Sequence, residues 1–219
     1  MNEALFPFQR VVIKTFYRLW PKYPPDPEEE AFLNLEQKKW DITIDVDSSV
    51  PIQNLIIVAG RRAGKTEIIS GIAVYSLYRL ICLGNPQSHY GMSDRHPIHI
   101  MHVACKAEQA GNIFERTKDK IFRMPFFKDF IDHERNNSSE LGLFTPYDRE
   151  LNEEIDRRNS SRRDGEPKEP PLSGSLILES VPSVAATNRG KAIQCLIFSE
   201  FAHMPRSGTQ ETQQTDHAL

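Results

Sequence analysis

Apolar and polar positions change period several times along the chain, and each change predicts an element. After Pro7, apolar residues recur at Val11, Val12, Phe16, Leu19 and Trp20, which predicts a helix over 7–20. A proline-rich break covers 21–27, and Glu28 to Trp40 reads as a second, more polar helix. Ile42 to Val46 alternates apolar with polar residues, the pattern of an edge strand. Leu55 to Val58 is a short apolar run bounded upstream by Pro51, and it predicts a buried strand. Ile68, Ile69, Ile72, Ala73, Leu77, Leu80 and Ile81 then follow at helical spacing, with Gly84 and Asn85-Pro86 as the stop. Ile98 to Ala104 predicts another strand. Lys106 to Phe122 predicts a helix with Ala107, Ala110, Ile113, Phe114 and Ile121 on its apolar face. Residues 132–174 lose periodicity and fill with charged residues, Asn, Ser, Gly and Pro, so an exposed, mobile insertion is expected there. Order returns with strands over Ser175 to Val181 and Ile193 to Phe198. Strands alternating with helices predict an α/β fold. Its mostly parallel central sheet is flanked by helices and offers ligand sites at the carboxyl ends of the strands.

The turn between the run at 55–58 and the helix after it carries the chemistry. It reads Ala59-Gly60-Arg61-Arg62-Ala63-Gly64-Lys65-Thr66-Glu67. A strand, a tight turn ending in Gly-Lys-Thr and a helix start together expose backbone N–H groups and a positive dipole end to nucleotide phosphates. The spacing follows G-x-x-x-x-G-K-[ST], except that Ala59 fills the first glycine slot. Gly60, Arg61, Arg62, Ala63, Gly64, Lys65, Thr66 and Glu67 form the expected nucleotide-contact set, for ATP with Mg²⁺. Lys65 reaches the β- and γ-phosphates, and the Thr66 hydroxyl reaches the metal. Arg61 either stabilises charge on the γ-phosphate in the transition state or, like Arg62, raises the local positive potential.

Hydrolysis also needs a carboxylate at the end of a neighbouring buried strand. Cys195-Leu196-Ile197-Phe198-Ser199-Glu200 supplies it, with Glu200 as the catalytic carboxylate beside Lys65 and Arg61. Ser199 occupies the position before that glutamate, where an aspartate is usual. It is a neutral and weaker ligand, so the metal would rest on Thr66, Ser199, the phosphates and water.

Composition bounds this reading without redirecting it. The 219 residues are 39% hydrophobic with a net charge of −3, so a core can form and a strongly basic nucleic-acid coat is not expected. No stretch approaches the ~18 apolar residues of a membrane span, and Arg10, Lys14 and Arg18 interrupt the N-terminal apolar stretch, which lacks a signal-peptide pattern. Cys82, Cys105 and Cys195 lie far apart in apolar patterns and read as buried free thiols in a reducing compartment. His99, His102 and Cys105 fall on one strand, but His102 lies on the face opposite the other two, so a shared metal ion is not expected.

Taken together, the motifs resemble the ATPase domain of the large terminase subunit of tailed bacteriophages. Phe6-Pro7-Phe8-Gln9-Arg10 looks like that family's glutamine motif, which implies that Gln9 reads the adenine. Gly60 to Thr66 is similar to its arginine-bearing phosphate loop. His102-Val103-Ala104-Cys105 leading to Gln109-Ala110 resembles its second strand and helix. Arg189-Gly190 with Leu196 to Ala202 resembles its Walker B region, where some members also carry serine. The resemblance implies a P-loop NTPase of the additional-strand, catalytic-glutamate type, spanning 1–219 with insertions at 21–50 and 132–174. The chain ends 19 residues after Glu200, so the family's C-terminal nuclease domain is expected to lie outside it. The implied function is ATP hydrolysis that drives double-stranded DNA into a procapsid. The implied partners are the portal protein, the small terminase subunit and copies of the chain in a ring, in the host cytoplasm at the procapsid portal. Arg157, Arg158, Arg162 and Arg163 are a candidate region for an arginine acting on a neighbouring subunit, or a solvated charge run. Two alternatives share the phosphate loop: a lobe of a helicase-like DNA translocase, and a nucleotide-binding scaffold of little turnover.

Overall fold

A computed structural model describes residues 5–41, 43, 50, 52–58, 63–104, 107–163, 166–182 and 190–199. The chain divides into two compact units, Met1–Ile68 and Ile69–Leu219.

In the first unit, helix α1 (Pro7–Phe16) starts with proline at its first position. Its N-terminus is capped from one side only: the side-chain Oε1 of Gln9 accepts from the Phe6 N–H at 2.9 Å. The predicted helix over 7–20 ends early because Arg18 turns left-handed, with φ of 53°. The turn nevertheless buries Trp20, whose indole N–H donates to the Thr15 hydroxyl at 3.2 Å. Helix α2 (Pro27–Trp40) follows the proline-rich break, capped by Asp26. Val11, Trp20 and Leu33 form a small core between the two helices, with Phe32 against it. Glu29, fully buried, clamps them. It accepts from Arg10 Nε at 3.0 Å, Lys14 Nζ at 2.6 Å and the Asp26 N–H at 2.9 Å. Burial alone would raise the Glu29 pKa; the hydrogen bonds outweigh it and hold the carboxyl below its usual range.

The run expected as a strand at 55–58 is not one. Residues 52–58 are in no regular element and have no ladder partner among the described residues, and Ile56 and Val58 are 86% and 95% exposed. Apolarity marks a segment that gains from burial, but a strand also needs a neighbour for its backbone bonds. The edge strand expected over Ile42 to Val46 lies largely outside the described residues. Helix α3 (Lys65–Cys82) begins in the first unit and continues into the second. Gly84, at φ of +74°, stops it, and the short helix α4 (Pro86–His89) follows, capped by Asn85.

The second unit is built on a five-stranded sheet. The strands are β1 (Ile98–Ala104), β2 (Ile131–Asn136), β3 (Glu140–Leu143), β4 (Leu176–Pro182) and β5 (Ala192–Ser199), in the order β2-β3-β4-β1-β5. Helix α5 (Ala107–Arg123) follows β1 and packs on β1 and β4. Ala73, Leu77, Leu80 and Ile81 of α3, Ile98 and Ile100 of β1, Phe114 and Ile121 of α5 and Leu176 and Leu178 of β4 share one core. The ladders β4–β1 and β1–β5 are parallel, whereas β2–β3 and β3–β4 are antiparallel. The sheet is therefore parallel in its β4-β1-β5 half and antiparallel beyond it, a mixed form of the mostly parallel sheet expected.

That antiparallel half corrects the expectation of a structureless stretch at 132–174, which holds β2, β3 and helix α6 (Pro146–Ser160). Thr145 caps α6, its hydroxyl accepting from the Asp148 N–H at 3.0 Å while Asp148 accepts back from the Thr145 N–H at 2.8 Å. Asp148 Oδ2 also accepts from the Ser175 N–H at 3.1 Å, which ties α6 to the start of β4. Asn152 and Asn159 each pair with a backbone further on, Asn152 with both polar groups of Leu172 and Asn159 with both of Glu169. Removing the cap tests this order directly. Thr145→Ala is expected to lower the unfolding free energy by about 1 kcal/mol, read from urea midpoints.

Cys82, expected to be buried, is exposed, because it is the last residue of α3 and points off the core. Cys195 is partly buried; burial pushes its thiol pKa up, against a hydrogen bond with Ser76. No helix among the described residues is long and apolar enough to cross a membrane.

Candidate functional site

The phosphate loop ends in the backbone state that its spacing demands. Gly64 sits at φ of +73°, a conformation that disfavours every residue with a Cβ, and α3 starts at the next residue. The Gly64 carbonyl opens the helix by accepting from the Glu67 N–H at 3.0 Å and the Ile68 N–H at 3.4 Å. Lys65 is then the first helical residue and Thr66 the second, with Thr66 exposed. An ammonium, a hydroxyl oxygen and the N-terminus of an 18-residue helix are the donor set that a triphosphate with Mg²⁺ requires. These residues fit that ligand. Lys65 would hold the outer phosphates and Thr66 the cation, which would neutralise charge on the phosphate oxygens. A cation in the first turn of a helix opposes the helix dipole, an arrangement that an anionic ligand there would offset.

Gln9 lies against this turn. Its Nε2 donates to the Gly64 carbonyl at 3.3 Å, across 55 positions of sequence, and the side chain is 2% exposed. The two partners fix the orientation of the amide. The Phe6 N–H needs an acceptor and the Gly64 carbonyl needs a donor, so Oε1 faces the first and Nε2 the second.

The other expected site residues divide between the two units or lie beyond the description. Ser199 is the last residue of β5, level with Ala104 of β1. Ala104 is in turn level with Pro182 of β4, so all three parallel strands end at one edge, the carboxyl edge where such sheets place ligands. Gly60, Arg61, Arg62 and Glu200 lie outside the described residues, as do Ala59, Cys105 and Arg189; Ala63 and Glu67 flank the Gly64-Lys65-Thr66 step within them. In the arginine cluster, Arg157 and Arg158 occupy the last turn of α6. Arg158 pairs with Glu154 at 3.7 Å and Glu169 at 3.2 Å, and Arg162 donates to the Pro167 carbonyl.

Two buried polar features went unread in the sequence. His99 Nδ1 lies 2.6 Å from Glu179 Oε1, and Lys191 Nζ donates to Glu179 Oε2 at 2.6 Å, linking β1, β4 and the lead into β5. Burial would raise the Glu179 pKa, but the bonds from His99 and Lys191 prevail and lower it. His102, on the opposite face of β1, is fully buried, and neither ring nitrogen has a hydrogen-bond partner among the described residues. Burial alone pulls its pKa down to about 4. The available signal was positional, since ionisable residues in the middle of apolar strands are rarely buried without a partner.

A family model described as "Uncharacterized protein MJ0330, N-terminal P-loop domain" matches residues 31–155, more than half of the chain. No curated protein and no solved structure matches the chain. The family match spans the turn at Gly64, helix α3 and β1, the part of the molecule in which the phosphate-binding geometry was found. The chain belongs to this family of P-loop domains.

Proposed function

We propose that the protein binds ATP with Mg²⁺ and hydrolyses it, and that hydrolysis drives movement of double-stranded DNA, as in a packaging motor. The observation that carries the nucleotide reading is the Gly64-Lys65 step, a left-handed glycine feeding directly into the first turn of an 18-residue helix. In this reading Lys65 binds the outer phosphates, Thr66 and Ser199 serve the metal, and Arg61 and Arg62 add positive charge. Glu200, the residue after the last of β5, orients the attacking water. The motor reading rests on the resemblance of the four motifs to the large terminase subunit. The contact of Gln9 with Gly64 supports it, because the N-terminal glutamine motif and the phosphate loop meet in the fold. Portal protein, small terminase subunit and a ring of copies at the procapsid are the partners that reading requires.

The test is phosphate release and ATP binding on the same samples of wild type and Glu200→Gln. The expected result is retained ATP affinity with turnover lowered at least about tenfold in the variant. Equally negligible turnover in both, with ATP still bound, would instead establish a nucleotide-binding scaffold. Stimulation of turnover by double-stranded DNA but not by single strands is the result expected of a packaging motor, and the reverse preference would favour a helicase-like translocase.

A further inference from the structure

We infer that Gln9 is a positioning residue for the phosphate loop, acting through the Gly64 peptide on the triphosphate rather than on the base. The inference rests on the nucleotide reading above. Reading an adenine edge takes both polar atoms of an amide, one to accept and one to donate. Here both are committed, Oε1 to the Phe6 N–H at 2.9 Å and Nε2 to the Gly64 carbonyl at 3.3 Å, in a side chain only 2% exposed.

The bond to Gly64 sets more than one atom. In a planar trans peptide the carbonyl of Gly64 and the N–H of Lys65 point in opposite directions, and no peptide among the described residues is cis. Holding that carbonyl against α1 therefore aims the Lys65 N–H the other way, away from Gln9. The same carbonyl accepts from the Glu67 and Ile68 N–H groups, so Gln9 grips the peptide that starts α3. The φ of +73° is what calls for glycine there; a Cβ at Gly64 would in addition push the Gln9 amide nitrogen out of place.

Gln9 is itself held firmly. It belongs to the first turn of α1, and the next residue, Arg10, donates to Glu29, Asp26 and Glu28 at 3.0–3.1 Å and to the Leu5 carbonyl at 2.8 Å. Lys14, one turn further on, donates to the same Glu29. The two-helix unit thus acts as a fixed post from which one amide reaches the loop.

The experiment compares MgATP, MgGTP and inorganic tripolyphosphate as ligands, measured by calorimetric titration on wild type, Gln9→Glu and Gln9→Met. Gln9→Glu keeps the acceptor for Phe6, so the helix cap survives, but turns the donor facing Gly64 into a repelling oxygen. Gln9→Met keeps the length of the side chain and removes both bonds. The expected result is that both variants weaken all three ligands by the same factor, about tenfold. The KM for ATP should rise with them while kcat stays within about twofold, and the ligand-free melting temperature should stay within a few degrees. A loss for ATP exceeding that for tripolyphosphate by more than about threefold would overturn the inference in favour of base reading. Unchanged affinity for tripolyphosphate in both variants would overturn it outright. Wild-type protein that binds none of the three ligands would instead defeat the nucleotide reading itself.

Discussion

Lys65→Ala is expected to weaken MgATP binding by roughly 100-fold and to abolish measurable turnover, while the unfolding midpoint barely moves. The affinity loss follows from the kind of contact removed. A charge-assisted bond from an ammonium to phosphate, partly shielded from water, is worth about 3 kcal/mol, which converts to roughly 100-fold. The insensitivity of the fold follows from the position. Lys65 opens α3, where a cation meets the positive end of the helix dipole and costs a few tenths of a kcal/mol. Lys65→Arg separates charge from shape: it keeps the cation but replaces a compact ammonium with a planar fork, and intermediate affinity is expected. Titration of the three proteins with MgATP, alongside urea melts, checks both halves. Equal affinity in wild type and Lys65→Ala would remove Lys65 from the site.

The second large effect is acid lability centred on His102. Its imidazole is fully buried with neither nitrogen bonded among the described residues, and burial lowers its pKa from 6.5 to about 4. The unfolded chain therefore takes up a proton at higher pH than the folded one does. Stability is intact above pH ~6.5, falls as pH drops toward 4 and levels off below it. The shift corresponds to about 3 kcal/mol at the acid end. His102→Leu fills similar space without a titrating group or stranded nitrogens. It is expected to flatten the stability profile between pH 6.5 and 4, and to add about 1 kcal/mol at neutral pH by removing the desolvation cost. Urea melts of both proteins at several pH values measure this. Parallel profiles would mean that the acid sensitivity arises elsewhere.

Periodicity revealed the elements that bury a full face and missed those held by other means. β1 was legible to the residue, α5 to within one and α3 to within three, because their apolar positions recur on one side. Helix α6 was illegible by that measure: Ile155 is its one buried apolar side chain, and the helix is fixed by the Thr145 cap and by Asn152 and Asn159 bonding to distant backbone. The Thr145-Pro146 start followed by Asp148 was the local signal available. The apolar run at 55–58 was read as a strand from composition, although strand formation depends on a partner that no local window contains. The phosphate loop was legible from spacing because its glycine and lysine act locally. The contact of Gln9 with Gly64 was not, since it joins residues 55 positions apart; the resemblance pointed to Gln9 but assigned it to the base.

The position of β1 has a consequence for how the chain acquires its shape. β1 is paired on both sides, yet its partners arrive late: Ile98 lies beside Leu176 in one ladder and Ala192 in the other. The β2–β3 hairpin closes over a few residues and folds on the microsecond scale. The parallel half must close loops of roughly eighty to ninety residues and is correspondingly slow. During synthesis this interior strand leaves the ribosome early and waits with both edges open until β4, and last of all β5, emerge. The carboxyl edge is therefore among the last features to form, and a nascent chain stalled before residue 192 would expose the strand most prone to mispairing.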